Sequence, residues 1–154
     1  MEFVELMTPE AVISQMKADN KKQVLQELSG CAAKLTGVEE RIIFEVLLER
    51  ERLGTTGVGN GIAIPHGKLS NVKQLCGVFA RLDTPIDFDA IDDQPVDLIF
   101  ILLAPESAGA DHLKALAWVS RLLRDSSICK KIRRSENRET IFDLICGSST
   151  PHAA

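Results

Sequence analysis

Two histidines and an arginine are the residues of this chain whose settings suit a transfer reaction. His66 closes the stretch GTTGVGNGIAIPHGKL, residues 54–69, where four glycines within eight positions run into Ile62, Ala63, Ile64 and then Pro65. Pro65 fixes its own φ and restricts Ile64 to extended conformations, so the backbone presents His66 in a defined direction. Gly67 has no side chain, and its expected use is to let a second molecule approach the imidazole closely. On these residues alone, a nucleophile reached by another protein and a plain turn at a strand end both remain open.

His112 falls in the first turn of a helix that Asp111 is expected to cap, where unpaired N–H groups and the helix dipole favour an anion. By itself it reads equally well as a surface histidine. If the fold brings it beside His66, the pair can hold a phosphoryl group, one ring carrying it and the other donating a hydrogen bond to its oxygens. Arg50 precedes the glycine loop and could add positive charge. It sits in Glu49-Arg50-Glu51-Arg52, a kind of run that usually forms a solvated face, and spacing does not choose between Arg50 and Arg52. Lys68 reads as a surface charge, Trp118 as packing, and His152 as an exposed terminal histidine.

Nucleotide chemistry fails on spacing. A phosphate-binding loop of the Walker type needs glycine where Ile62 stands and Ser or Thr where Leu69 stands. A dinucleotide fingerprint needs glycine at position 62 and then a helix, whereas Pro65 and the β-branched residues demand extended chain.

The elements that must position these side chains follow from periodicity. Val24, Leu25, Leu28, Ala32 and Leu35 give a helix over 20–35 stopped by Gly37; Ile42, Ile43, Val46, Leu47 and Leu53 give a second over 39–53 closed by Gly54. Residues 61–65 form a short apolar run, residues 77–82 are β-like, and 96–103 are apolar enough for a strand covered on both faces. Asp83-Thr84-Pro85 and Asp92-Asp93-Gln94-Pro95 are expected to punctuate these strands. A helix from Asp111 to about Arg124 should bury Leu113, Leu116, Ala117, Ser120 and Leu123, and shorter helices should follow near 127–134 and 136–145. The expectation is a single α/β (α+β) domain over 1–147, a mixed sheet sandwiched by helices, with 148–154 a loose tail.

Composition narrows the class. With 154 residues, 45% of them hydrophobic, the chain can build one sizeable core. A net charge of −4 supplies no basic field for nucleic acid or anionic membrane. Cys31, Cys76, Cys129 and Cys146 show no C-x-x-C pair and read as reduced thiols. The acidic start MEFVELMTPEAV is no signal peptide, and no apolar run reaches the ~18 residues of a membrane span. A cytoplasmic location is expected.

The blocks GTTGVGNGIAIPHGKL, FDAIDDQPVDLIFILLAP and HLKALAWVSRLLRD together resemble the enzyme IIA domain of the fructose/mannitol class of the bacterial phosphotransferase system (PTS). Within that class the similarity is greatest to the nitrogen-regulatory IIA proteins. The resemblance spans nearly the whole chain. It implies a mixed sheet flanked by helices, with His66 phosphorylated by a small HPr-type phosphocarrier protein that is itself charged from phosphoenolpyruvate through enzyme I. It further implies that His112 is the second active-site histidine, assisting without accepting, and that Arg50 is the arginine before the glycine loop. Direct transfer between imidazoles calls for no nucleotide, metal or other cofactor.

Sugar-transport members work with a IIB domain and a membrane IIC domain. A chain ending after one domain, with no membrane insertion, is expected instead to be a regulatory phosphocarrier. Nitrogen-regulatory relatives imply targets in potassium transport and among sensor kinases. A free-standing sugar-uptake IIA passing phosphate to a IIB protein, and a binding module with vestigial phosphorylation, are the alternatives.

Overall fold

The computed structural model describes residues 6–147. A 3-10 turn at Pro9–Ala11 leads into β1 (Val12–Met16), then α1 (Lys21–Thr36) and α2 (Glu40–Leu53). Asn20 caps α1 by accepting a hydrogen bond from the Gln23 N–H at 2.9 Å. Gly37, at φ 79°, ends it in the left-handed conformation that a glycine adopts without strain. Three short strands follow, β2 (Gly57–Gly59), β3 (Ile62–Ala63) and β4 (His66–Leu69), then the long β5 (Cys76–Ile86) and β6 (Val96–Pro105). The chain closes with α3 (Ala110–Arg124), α4 (Ser126–Arg133) and α5 (Arg138–Gly147).

These strands make one mixed sheet of order β1-β5-β6-β3-β2, with β4 also on β6. β6 is the spine. Its one edge pairs antiparallel with β5, and its other edge pairs parallel with β3 and β4 in succession. The register does not slip across Ile64–Pro65: Ile62 faces Leu98 and His66 faces Leu102 at the same offset, and the Pro65 carbonyl accepts from the Leu102 N–H at 3.0 Å. His66 therefore opens a strand inside a continuous ribbon, rather than standing beyond the end of one. All of β6 but Asp97 is buried, as its unbroken apolarity predicts.

Four expectations are corrected. Asp83-Thr84-Pro85 does not end a strand; β5 runs through it to Ile86, where pairing resumes with Val96 after an irregular stretch. Asp111 is not the cap of α3, since Gly109 holds that position and Asp111 lies within the first turn. The buried face of α3 is His112, Ala115, Val119, Leu122 and Leu123, leaving Leu113 66% exposed. Two stripes of α3 satisfy helical spacing, and the fold turns inward the one that carries His112. β1, β2 and β4 were not foreseen as strands: β2 and β4 are too short and interrupted by glycine for an alternating pattern to register, and β1, VISQM, does not alternate. Trp118 is half-buried against the core, as expected of packing. Residues 148–154, including His152, lie outside the described residues.

Candidate functional site

His66 enters from the sheet, Arg50 from the last turn of α2, and His112 from the first turn of α3. The two imidazoles lie with ring centroids 5.8 Å apart and planes tilted by 50°. Nδ1 of His66 is 2.9 Å from the carbonyl oxygen of Ile64. A carbonyl only accepts, so the proton sits on Nδ1 and the lone pair on Nε2. That lone pair faces Arg50, whose Nε donates towards it at 3.4 Å while Nη1 donates to the Gly54 carbonyl at 2.9 Å.

The charged run on α2 divides. Arg50 turns to His66, whereas Arg52 stays on the surface with Glu49 at 3.7 Å. Glu51 is buried, contrary to the solvated face expected of this run. Its periodicity carried the signal, because Glu51 lies one helical turn beyond Leu47 and two beyond Ile43 on the core face. Its carboxylate accepts from Lys21 Nζ at 2.9 Å, from the Thr56 N–H at 3.0 Å and from the Thr56 hydroxyl.

His112 is 7% exposed, and its Nδ1 makes no hydrogen bond among the described residues. Burial, then the neighbouring His66 and Lys68 charges, hold its pKa below the ordinary value, so the ring is neutral near pH 7. Lys68 is exposed, as read from sequence, although its charge reaches His112. Gly67 serves a different need from the one expected. A Cβ there would overlap Cγ1 of Val46, so its missing side chain admits α2 against β4 rather than an incoming molecule. Around the site Leu113, beside His112, and Leu53, one turn past Arg50, are 66% and 83% exposed. Clefts of about 380 Å³ lie elsewhere, one between Leu35, Val72 and Cys76, the other between Lys73, Pro105 and Asp111.

The sequence and the fold, a mixed sheet flanked by five described helices, match a known protein class. The sequence model of the family described as phosphoenolpyruvate-dependent sugar phosphotransferase system, EIIA 2, matches residues 5–147, and the chain belongs to that family. Within the family it is similar to the nitrogen regulatory proteins. The one from Bradyrhizobium diazoefficiens is 58% identical over 145 residues, covering 94% of this chain and 95% of the relative. The crystal structure of nitrogen regulatory protein IIA-Ntr from Neisseria meningitidis superposes with a TM-score of 0.87 at 35% identity, covering 92% of this chain and 97% of that one. The Escherichia coli enzyme IIA for mannitol, in a complex with phosphorylated mannitol enzyme IIB, shares the fold at a TM-score of 0.78 and 21% identity, over 92% of this chain and 99% of that one. No helix among the described residues is long and apolar enough to cross a membrane.

Proposed function

We propose that this PTS IIA component is a regulatory phosphocarrier, accepting a phosphoryl group on Nε2 of His66 from an HPr-type carrier protein. The observation that carries the reading is the His66 tautomer, since the Ile64 carbonyl holds the proton on Nδ1 and leaves Nε2 with its lone pair beside Arg50. In transfer, the Nε2–P bond forms as the P–N bond to the carrier's imidazole breaks. The carrier's ring leaves with that electron pair. Positive charge passes to the His66 ring, where the Nδ1–H donated to Ile64 is strengthened as the charge arrives. Each ring keeps its own N–H, so no proton need be exchanged with solvent.

Little covalent work falls to the protein, and positioning with electrostatics does the rest. Arg50 lies close enough for its guanidinium to turn from Nε2 to the phosphoryl oxygens. On His112, a bare Nδ1 lone pair is a cheaper buried orphan than an unmatched N–H, which puts the proton on Nε2. That N–H is the donor offered to the phosphoryl group. Exposed Leu53 and Leu113 beside the site suit docking by a protein rather than enclosure of a small molecule. The similarity to nitrogen regulatory proteins supports a cytoplasmic protein whose phosphorylation state governs binding to targets such as potassium-transport proteins or sensor kinases. A second reading, onward transfer to a IIB protein, draws support from the mannitol IIA–IIB complex.

Incubation with phosphoenolpyruvate, enzyme I and an HPr-type carrier tests this by intact mass. One acid-labile, base-stable phosphate is expected on the wild type and none on His66→Ala. A folded wild type that takes no phosphate from a competent carrier would leave a binding module as the better reading.

A further inference from the structure

Glu51 lies beneath the site without touching either imidazole, yet an unbroken set of hydrogen bonds joins it to the acceptor ring. Its carboxylate receives the Thr56 N–H at 3.0 Å and the Thr56 hydroxyl. The Thr56 carbonyl receives the Ile64 N–H at 3.0 Å. The Ile64 carbonyl, in turn, receives Nδ1–H of His66 at 2.9 Å. Arg50 is tied to the same segment, because its Nη1 bonds the Gly54 carbonyl, two residues before Thr56.

We propose that Glu51 is a positioning residue for phosphoryl transfer: through Thr56 it sets the height of the Ile64 carbonyl, and so fixes the tautomer and direction of His66. The proposal rests on Nε2 of His66 being the phosphoryl acceptor. An unconstrained histidine favours the opposite tautomer, with its proton on Nε2, so the reactive form must be imposed by a fixed acceptor at Nδ1. β6 holds the ribbon along one edge on both sides of Ile64, and the opposite edge needs its own support. Ile64 precedes a proline, and on the side away from β6 its N–H is tethered to the Thr56 carbonyl. Thr56 lies in the loop between α2 and β2, where a backbone would otherwise wander. Glu51 prevents this by offering two oxygens to one residue while Lys21 Nζ, 2.9 Å away, balances its charge. Lys21 is held in its own right by the exposed Asp89 at 3.2 Å and by the ring of buried Phe88 at 4.9 Å.

The experiment uses the full chain and three variants. Glu51→Met removes both acceptor oxygens while keeping length, Thr56→Val removes the hydroxyl bond while keeping shape, and Thr56→Ser keeps every bond. Nitrogen-15 NMR of the unphosphorylated imidazoles reads the tautomer; transfer from phosphorylated carrier, followed against carrier concentration, separates rate from binding. Wild type and Thr56→Ser should show His66 as the Nδ1–H form alone and transfer at equal rates. Glu51→Met should mix the tautomers and lower the saturated rate about 10- to 100-fold, Thr56→Val about 3- to 10-fold, with carrier affinity unchanged, as expected for sub-ångström misplacement of a nucleophile.

Folded Glu51→Met and Thr56→Val proteins that keep the pure tautomer and the wild-type rate would overturn the proposal, as would a loss lying wholly in carrier affinity. Where Glu51→Met does not fold, Thr56→Val decides alone. Failure of the acceptor assignment shows separately, as wild type that takes its phosphate elsewhere or not at all.

Discussion

An imidazole buried beside another imidazole is held neutral, and His112 is such a ring. Its pKa lies below the ordinary 6.5, so as pH falls through 6.5 the unfolded chain binds a proton that the folded chain resists. The His112 contribution is therefore fully present above 6.5, falls between 6.5 and the depressed folded value, and changes no further below it. Urea denaturation at a series of pH values should show this decline, and His112→Gln should remove its share of the slope. For transfer, His112→Ala is expected to slow phosphorylation while His66 still accepts some phosphate; complete loss with folded protein would make His112 indispensable. At this scale the sequence announced what lies in the P-H-G block, because proline and glycine constrain the backbone in ways that show in one dimension. It concealed Glu51, whose charge in a charged run outweighed its place on the Ile43–Leu47 stripe.

Elements meet the site through one close contact, where Val46 of α2 fills the space left by Gly67 of β4. Overpacking a well-filled contact costs about 1–3 kcal/mol, so Gly67→Ala should destabilise by that order. Adding Val46→Ala should recover part of the loss, because the obstructing methyl groups leave; denaturant midpoints of the two single variants and the double variant measure it. No recovery would mean that Gly67 is needed for something other than α2. Helices were legible because 3.6-residue spacing, Asn20, Gly37 and Gly54 all agree on where they lie. Their rotation was less so. α3 offers two stripes of suitable spacing, and only the presence of β6 beneath it determines that His112, rather than Leu113, turns inward.

Across the whole molecule, one arginine pair ties distant parts of the sheet to α4. Arg133 holds Asp97 of β6 at 2.9 Å and the Asn60 carbonyl at 2.8 Å, while its own carbonyl receives Arg81 of β5. Arg81 also reaches the Ser14 carbonyl of β1 at 3.1 Å. Arg133 is partly exposed, so its loss should fall short of a fully buried pair: about 1–2 kcal/mol for Arg133→Ala. For a chain of this size that is a fall of roughly 2–8 °C in Tm, readable by calorimetry; a shift under a degree would show that the clamp adds nothing. Such long-range ties were illegible in the sequence, since residues 60, 81, 97 and 133 share no spacing and meet only when the sheet forms. The chain's fold class, in contrast, followed from the order of helices and strands alone. The unslipped ribbon through Ile62 and His66 has one more consequence. A nucleophile woven into the sheet cannot swing when it is charged, so phosphorylated and unphosphorylated forms should share one backbone, and a partner telling them apart must sense an added dianion on an unaltered contour.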